Sequence, residues 1–342
     1  MKNSKVHKTL NLFIRSIIVV LSLGFIYWKV FATGKAGELV DSLHRFISND
    51  GFYSGIGLLT LLMILNWSIE SIKWQGLVNR IERVSFLKSL QSVLTGVTVS
   101  IFTPNRTGEF IGRAFILRNS NPLTAVILTI IGSFSQLLIT ILLGSIGLVV
   151  AFIYFLPAIY AVPEWAKAGI YSGILLLDFV ILIMYFNIPP IIAYLDQRFN
   201  KRFGRWTKIL QPTSEMPRKE LIRLLILSLF RYLVFSAQFF IVLQLFGISL
   251  PYATAAFLIP VIFLTLAIIP TFALSELGVR GSVSLFFIGM FFEQSRGAAA
   301  SEAESMGIVL AAGMLWFINL ALPAIIGVPF VFKLRFFRKY QE

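Results

Sequence analysis

Charged side chains gather at two places in a chain that is otherwise mostly apolar. The stretch IFTPNRTGEFIGRAF, residues 101–115, holds Arg106, Glu109 and Arg113. The stretch AIIPTFALSELGVRGSVSLFF, residues 267–287, holds Glu276 and Arg280. Each runs from apolar residues to a proline (Pro104, Pro270), through a short polar turn, to a glutamate and then to an arginine four positions later. Asn105, Gly108, Gly112 and Gly278 complete the two patterns. On a helix, residues four apart share a face and reach one another, so Glu109 and Arg113, and likewise Glu276 and Arg280, are spaced to pair. Guanidinium is a planar fork that fits phosphate oxygens. A proline before a turn suits a helix start, whose free backbone N–H groups attract phosphate. The chemistry on offer is the holding of an anionic, phosphate-bearing group: Arg106, Arg113 and Arg280 as donors, Glu109 and Glu276 orienting them or titrating. The plainer alternative is a pair of ion pairs that merely stabilise two loops.

Other chemistries lack residues. The chain has no Cys, and its two His, His7 and His44, stand near the N-terminus, which argues against thiol chemistry, a His metal site or a Ser–His triad. No Gly-rich nucleotide loop is present, which argues against ATP-driven pumping within this chain. The expectation is a non-enzyme with no cofactor and no metal.

The elements that position these residues follow from composition. Of 342 residues, 57% are hydrophobic and 13% charged. A soluble domain carries about 25% charged residues. Apolar runs of about 20 residues recur, the length that crosses a bilayer as a helix. They are continuous rather than alternating, which excludes a β-barrel. The expected fold class is all-α: a polytopic membrane protein in one integral membrane domain over residues 1–342, with six spans at 11–32, 53–74, 122–145, 167–187, 221–247 and 305–332. The third span has room to continue to about Phe155. The N-terminal run resembles a signal peptide but is too long for a typical apolar h-region, so it is read as the first span. Segments 86–121 and 252–293 are apolar but broken by Pro, Gly and charge.

Charge sets the orientation. The net charge is +14. Between membrane spans, basic residues speak for topology and anionic lipid rather than for nucleic acid. Lys and Arg concentrate at the N-terminus, at 73–88, in a basic loop at 188–220 and in the C-terminal tail, whereas the segments 33–50, 157–166, 248–251 and 294–304 hold only Lys35, Arg45 and Arg296. The positive-inside rule then places both termini in the cytoplasm. Span parity makes 86–121 a re-entrant hairpin from the cytoplasm and 252–293 one from outside. The two hairpins and the spans around them form a degenerate inverted repeat, a plan that transporters use with the substrate site near the midplane.

Further polar residues lie within spans. Asp178 and Arg231 fall at similar depth on neighbouring spans, about 14 Å and about 15 Å from the same side at 1.5 Å per residue. A charge at that depth is disfavoured unless paired, so a direct Asp178–Arg231 ion pair is expected, or else a link from Asp178 to the hairpin arginines. Gln136, Gln238 and Asn319 are expected to make interhelical hydrogen bonds. The run RFNKRFGRWTK, residues 198–208, reads as a topology anchor or an interfacial helix on anionic lipid. Asn66 and Asn105 match glycosylation sequons but sit in or beside membrane, and are set aside.

PNRTGEFIGR, IPTFALSELGVRG and the preceding LNWSIESIKWQ together resemble the flippase-like membrane family, which shares its membrane region with the lysylphosphatidylglycerol synthases. The first motif, Pro104 to Arg113, and the tryptophans Trp67 and Trp74 fit that family. The second motif departs from it: Ser275 and Glu276 stand where the family has a Gly pair, and Gly281 follows Arg280 where the family has Glu. The resemblance covers about residues 10–335. It implies movement of a lipid or lipid-linked headgroup between leaflets. The synthases carry a further soluble aminoacyl-transferase domain, which is not expected here because the sequence runs only to Glu342.

The resulting expectation is a translocase or scramblase for an anionic phospholipid or a polyprenyl-phosphate-linked lipid. A membrane-embedded lipid-modifying transferase, and an accessory subunit of a glycosyltransferase or lipid-modifying system, are the rival readings.

Overall fold

The structure is a computed structural model, and it describes residues 51–101, 103, 106–117, 120–154, 163–200, 205–269 and 273–332. The expected first span, Pro104, Asn105 and Pro270 lie outside the described residues. The described part is all-helical. Its helices are α1 (Phe52–Val78), α2 (Phe86–Ser100), α3 (Gly108–Ala114), α4 (Pro122–Tyr154), α5 (Glu164–Phe186), α6 (Ile188–Asn200), α7 (Arg205–Ser214), α8 (Arg218–Leu245), α9 (Tyr252–Ile268), α10 (Ala273–Arg296), α11 (Glu302–Trp316) and α12 (Leu322–Val331). A π-helical turn, Phe317–Ala321, joins α11 to α12.

Five helices are long and apolar enough to cross a membrane: α1, α4, α5, α8 and the composite of α11 and α12. They match the expected second to sixth spans, and α4 continues to Tyr154 as its unbroken apolar run suggests. The basic segment 188–220 lies between two span candidates, and α6 and α7, which occupy most of it, pack on each other.

α1 keeps its polar groups on its buried face. In α1 the buried stripe runs Leu59, Met63, Asn66, Glu70, Lys73 and Leu77, a helical spacing that collects its polar groups. Leu58, Leu61, Ile64 and Leu65 on the other face are exposed. In a bilayer, apolar side chains can face outward while charged ones must face the protein interior. α5 is the extreme case: Tyr185 is its one buried residue, and Leu175, Leu176, Leu177 and Phe179 all face outward.

The composite last helix lies at the centre, with 61% of its apolar window buried against 6% for α5. α10 packs along α11, and α2 packs along α12, so each broken segment leans on one half of it. Thr98 Oγ1 of α2 donates to the Ala324 carbonyl of α12 at 2.8 Å. The π turn between the halves has a local cause. Pro323 has no N–H to offer the Asn319 carbonyl four residues back, and its ring crowds that carbonyl.

Both expected breaks are present. α2 stops at Ser100, and α3 starts at Gly108. Between them Arg106 has φ 59°, the one non-glycine positive φ among the described residues. α3 then folds back on α2 where Gly112 meets Gly96. A Cβ on Gly112 would lie 2.8 Å from the Gly96 Cα, and one on Gly96 would lie 2.9 Å from the Glu109 carbonyl oxygen. α9 stops at Ile268, and α10 begins at Ala273.

Candidate functional site

Two adjoining groups of polar residues occupy the interior, and Arg231 of α8 belongs to both. The first is built on Glu70 of α1. Its Oε1 accepts from Arg113 Nη1 at 2.7 Å. Its Oε2 faces Lys73 Nζ at 2.8 Å and Arg231 Nη1 at 3.0 Å. One carboxylate thus holds cations from α1, α3 and α8. The side chains of Glu70, Lys73 and Arg113 are 4%, 1% and 2% exposed. Arg113 Nη2 also pairs with Glu109, as the i, i+4 spacing leads one to expect. A buried charge without a partner costs several kcal/mol, so this cluster holds α3 to α1 and α8.

The second group lines a cavity of about 250 Å³. Arg106 comes from the first break, Glu276 and Arg280 from α10, and Arg231 from α8. Glu276 Oε1 accepts from Arg280 Nε at 3.0 Å and from Arg280 Nη2 at 2.7 Å. No described carboxylate forms an ion pair with Arg106. Asn66, Asn319 and Gln136 add amides to the wall. Arg231 Nε donates to Asn66 Oδ1 at 3.0 Å, and Asn66 Nδ2 donates to Asn319 Oδ1 at 2.9 Å. Trp67, Tyr232, Phe235, Phe263 and Trp316 form the apolar wall. The Arg231 guanidinium lies 5.3 Å from the Trp67 ring centroid, a cation–π distance. Three arginines around one glutamate make this cavity electropositive, and its size suits a small anionic group rather than a macromolecule.

The residues singled out in the sequence therefore divide. Arg106, Glu276 and Arg280 meet in the cavity although they come from the two separate broken segments. Arg113 does not reach it: Arg113 is sealed against Glu70 and Glu109. Glu109 stays with Arg113, while Gly108 and Gly112 serve close packing of α3 on α2, and Gly278 has open space beside it. The expected Asp178–Arg231 pair is a further correction. Asp178 accepts from Ser145 of α4 at 3.0 Å, whereas Arg231 turns to Glu70. Equal depth does not fix the rotation of α5 and α8 about their axes, and Asp178 sits on a helix whose faces are mostly turned outward. The amides behave as expected: Gln136 donates to the Ser228 carbonyl and Gln238 to the Leu59 carbonyl, each at 3.3 Å.

Glu70 and Lys73 are the functional candidates that the hairpin motifs did not reveal. Their signal was present in LNWSIESIKW. Asn66, Glu70 and Lys73 recur at helical spacing inside an apolar run, and charge inside a membrane helix marks function or an obligatory partner. Asn319, expected to bond between helices, does so: from the π turn it accepts from Asn66 Nδ2 of α1. Among the described residues no group of three His, Cys, Asp or Glu side chains could hold a metal ion.

Comparison with curated proteins and with solved structures returns no match. A family model does match: that of the lysylphosphatidylglycerol synthase TM region, over residues 12–321. The match takes in the two broken segments, the Glu70 cluster and the whole of the cavity lining. The chain thus belongs to the lysylphosphatidylglycerol synthase transmembrane-region family, multi-pass membrane proteins linked to lipid handling.

Proposed function

We propose that this chain moves an anionic, phosphate-bearing lipid between the leaflets of a bacterial cytoplasmic membrane, as a flippase or scramblase without covalent chemistry. The observation that carries the reading is the convergence of Arg106, Arg231 and Arg280 on one internal cavity with Glu276. An uncompensated guanidinium inside a membrane protein is costly unless an anion visits it. Arg280 and Arg231 are held by carboxylates, and Arg106 forms no ion pair with a described carboxylate, so an incoming phosphate gains forked donors. Glu276 keeps Arg280 oriented while the cavity is empty. Family membership supports lipid as the cargo.

In this reading, segments 86–121 and 252–293 enter the membrane from opposite sides as re-entrant hairpins, both termini are cytoplasmic, and the chain forms one integral membrane domain. Arg106 and Arg280 would then be offered from the two sides of the bilayer to one midplane site. The helix breaks before Arg106 and before α10 support this, since backbone that leaves the helix within a membrane must line a cavity or be covered by protein.

The test is a liposome assay of headgroup exposure with purified protein. Proteoliposomes holding a fluorescently labelled anionic phospholipid are treated with an impermeant quencher. Loss of more than the outer-leaflet fraction with the native chain, and not with Arg280→Lys, supports the proposal. Equal quenching in empty and protein-bearing liposomes overturns it.

A further inference from the structure

A second cavity, of about 540 Å³, lies between α4, α8 and α9, and no charged side chain lines it. Its volume falls within the range of small-molecule sites, about 300–1,000 Å³. Three of the helices that wall the arginine cavity also wall this one. On α4 the lining passes from Gln136 and Thr140 to Leu143 and Gly147. On α8 it passes from Tyr232, next to Arg231, to Ser236 and Phe240. On α9 it runs the other way, from Ala267 and Phe263 to Ile259 and Ala256. Steps of three and four residues keep each lining on one helix face. Tyr232 borders both cavities. α9 lies tight against α4 here, for a Cβ on Gly147 would come within 2.6 Å of the Phe257 carbonyl oxygen. The two cavities therefore follow one another along these helices, the first lined by charged groups and the second apolar.

We infer that the apolar cavity holds one hydrocarbon chain, acyl or prenyl, of the same amphiphile whose phosphate occupies the arginine cavity, an inference that rests on the headgroup reading above. The polarity gradient matches that of such a molecule. The distance does as well: Gln136 to Gly147 spans about 16 Å along α4 at 1.5 Å per residue, close to half of a hydrocarbon core about 30 Å thick. The rim gives lateral access from the bilayer, since Ile146, Leu233 and Tyr252 are exposed. Tyr232, almost wholly buried, sits where the headgroup ends and the chain begins. The site thus takes a phosphate amphiphile with at least one long chain, and one chain enters the protein instead of staying in bulk lipid.

The test uses the full chain in phosphatidylcholine nanodiscs with a trace of phosphatidylglycerol that carries a diazirine at the end of one acyl chain. Light attaches the chain where it lies, and mass spectrometry of the peptides reads the position. Labelling of the apolar cavity around Ala237 and Ala256 should exceed that of the outward face of α5 at Leu175–Phe179 by at least about tenfold, the ratio that ~1.4 kcal/mol of preference gives. Ala237→Trp and Ala256→Trp should fill the apolar cavity and remove that label while sparing α5. Even labelling of apolar cavity and α5 in the native chain shows annular lipid only and overturns the inference. A cavity label that persists in both Trp variants overturns it also. The headgroup reading is followed separately through Thr140→Cys, a single thiol in the arginine cavity of a chain with no native Cys. Anionic lipid should slow its reaction with maleimide. Protection at residue 140 together with even labelling sinks the chain site alone. Labelling of the apolar cavity without protection sinks the headgroup reading, and the shared-amphiphile inference with it.

Discussion

Arg231 Nη1 of α8 lies 3.0 Å from Glu70 Oε2 of α1, and that contact joins the sealed ion cluster to the wall of the arginine cavity. Glu70 also holds Lys73 and Arg113. Its removal leaves buried cations short of a counter-charge, whereas Glu109 is about one-fifth exposed and shares Arg113 with Glu70. Glu70→Gln is expected to cost about 3–5 kcal/mol and Glu109→Gln clearly less. Thermal unfolding in detergent, followed by static light scattering, checks the order. Equal losses for the two variants contradict it.

Arg106 and Arg113 stand seven positions apart and should fail in different ways. Arg113→Ala breaks a buried pair and is expected to lose about 3–5 kcal/mol of stability, with poor insertion. Arg106→Gly leaves no carboxylate orphaned by a broken ion pair, and glycine accepts the positive φ of 59° without strain. It should fold with an unchanged melting temperature and move lipid at least about tenfold more slowly, the loss of ~1.4 kcal/mol at the binding step. Native-rate transport by a well-folded Arg106→Gly would remove Arg106 from the site.

Asp178 and Arg231 are expected to act independently. Asparagine keeps an acceptor for Ser145, so Asp178→Asn alone should change stability by no more than about 0.5 kcal/mol. Combined with Arg231→Gln it should add within about 0.5 kcal/mol. A double-mutant cycle with a larger coupling would restore a direct interaction that the geometry does not show.

The crossing of α2 and α3 should tolerate no added methyl. Gly96→Ala and Gly112→Ala each place a Cβ against backbone and are expected to cost about 1–3 kcal/mol through overpacking. Gly278→Ala in α10 meets nothing within 4 Å and should stabilise by about 0.8 kcal/mol through helix propensity. Melting temperatures of the three variants in one detergent decide the matter.

The sequence by itself determined the class and most of the elements. Runs of apolar residues long enough to cross a bilayer can satisfy their backbone in lipid only as helices, so α1, α4, α5, α8 and the last helix followed from length and composition. The Pro-Gly-charge interruptions marked both breaks, and i, i+4 spacing gave the Glu109–Arg113 and Glu276–Arg280 pairs, because these are local relations. Only the tertiary structure decided which charges share a chamber. Arg106 and Arg280 come together because α2 and α10 lean on opposite halves of one central helix. Arg113 is withdrawn because Glu70, on a distant helix, competes for it. Asp178 is left to Ser145 because helix rotation, which hydropathy does not encode, turns it away from α8. Asn319 enters the cavity through a π turn whose cause, Pro323, is written in the sequence, but whose facing partner Asn66 is supplied by packing alone.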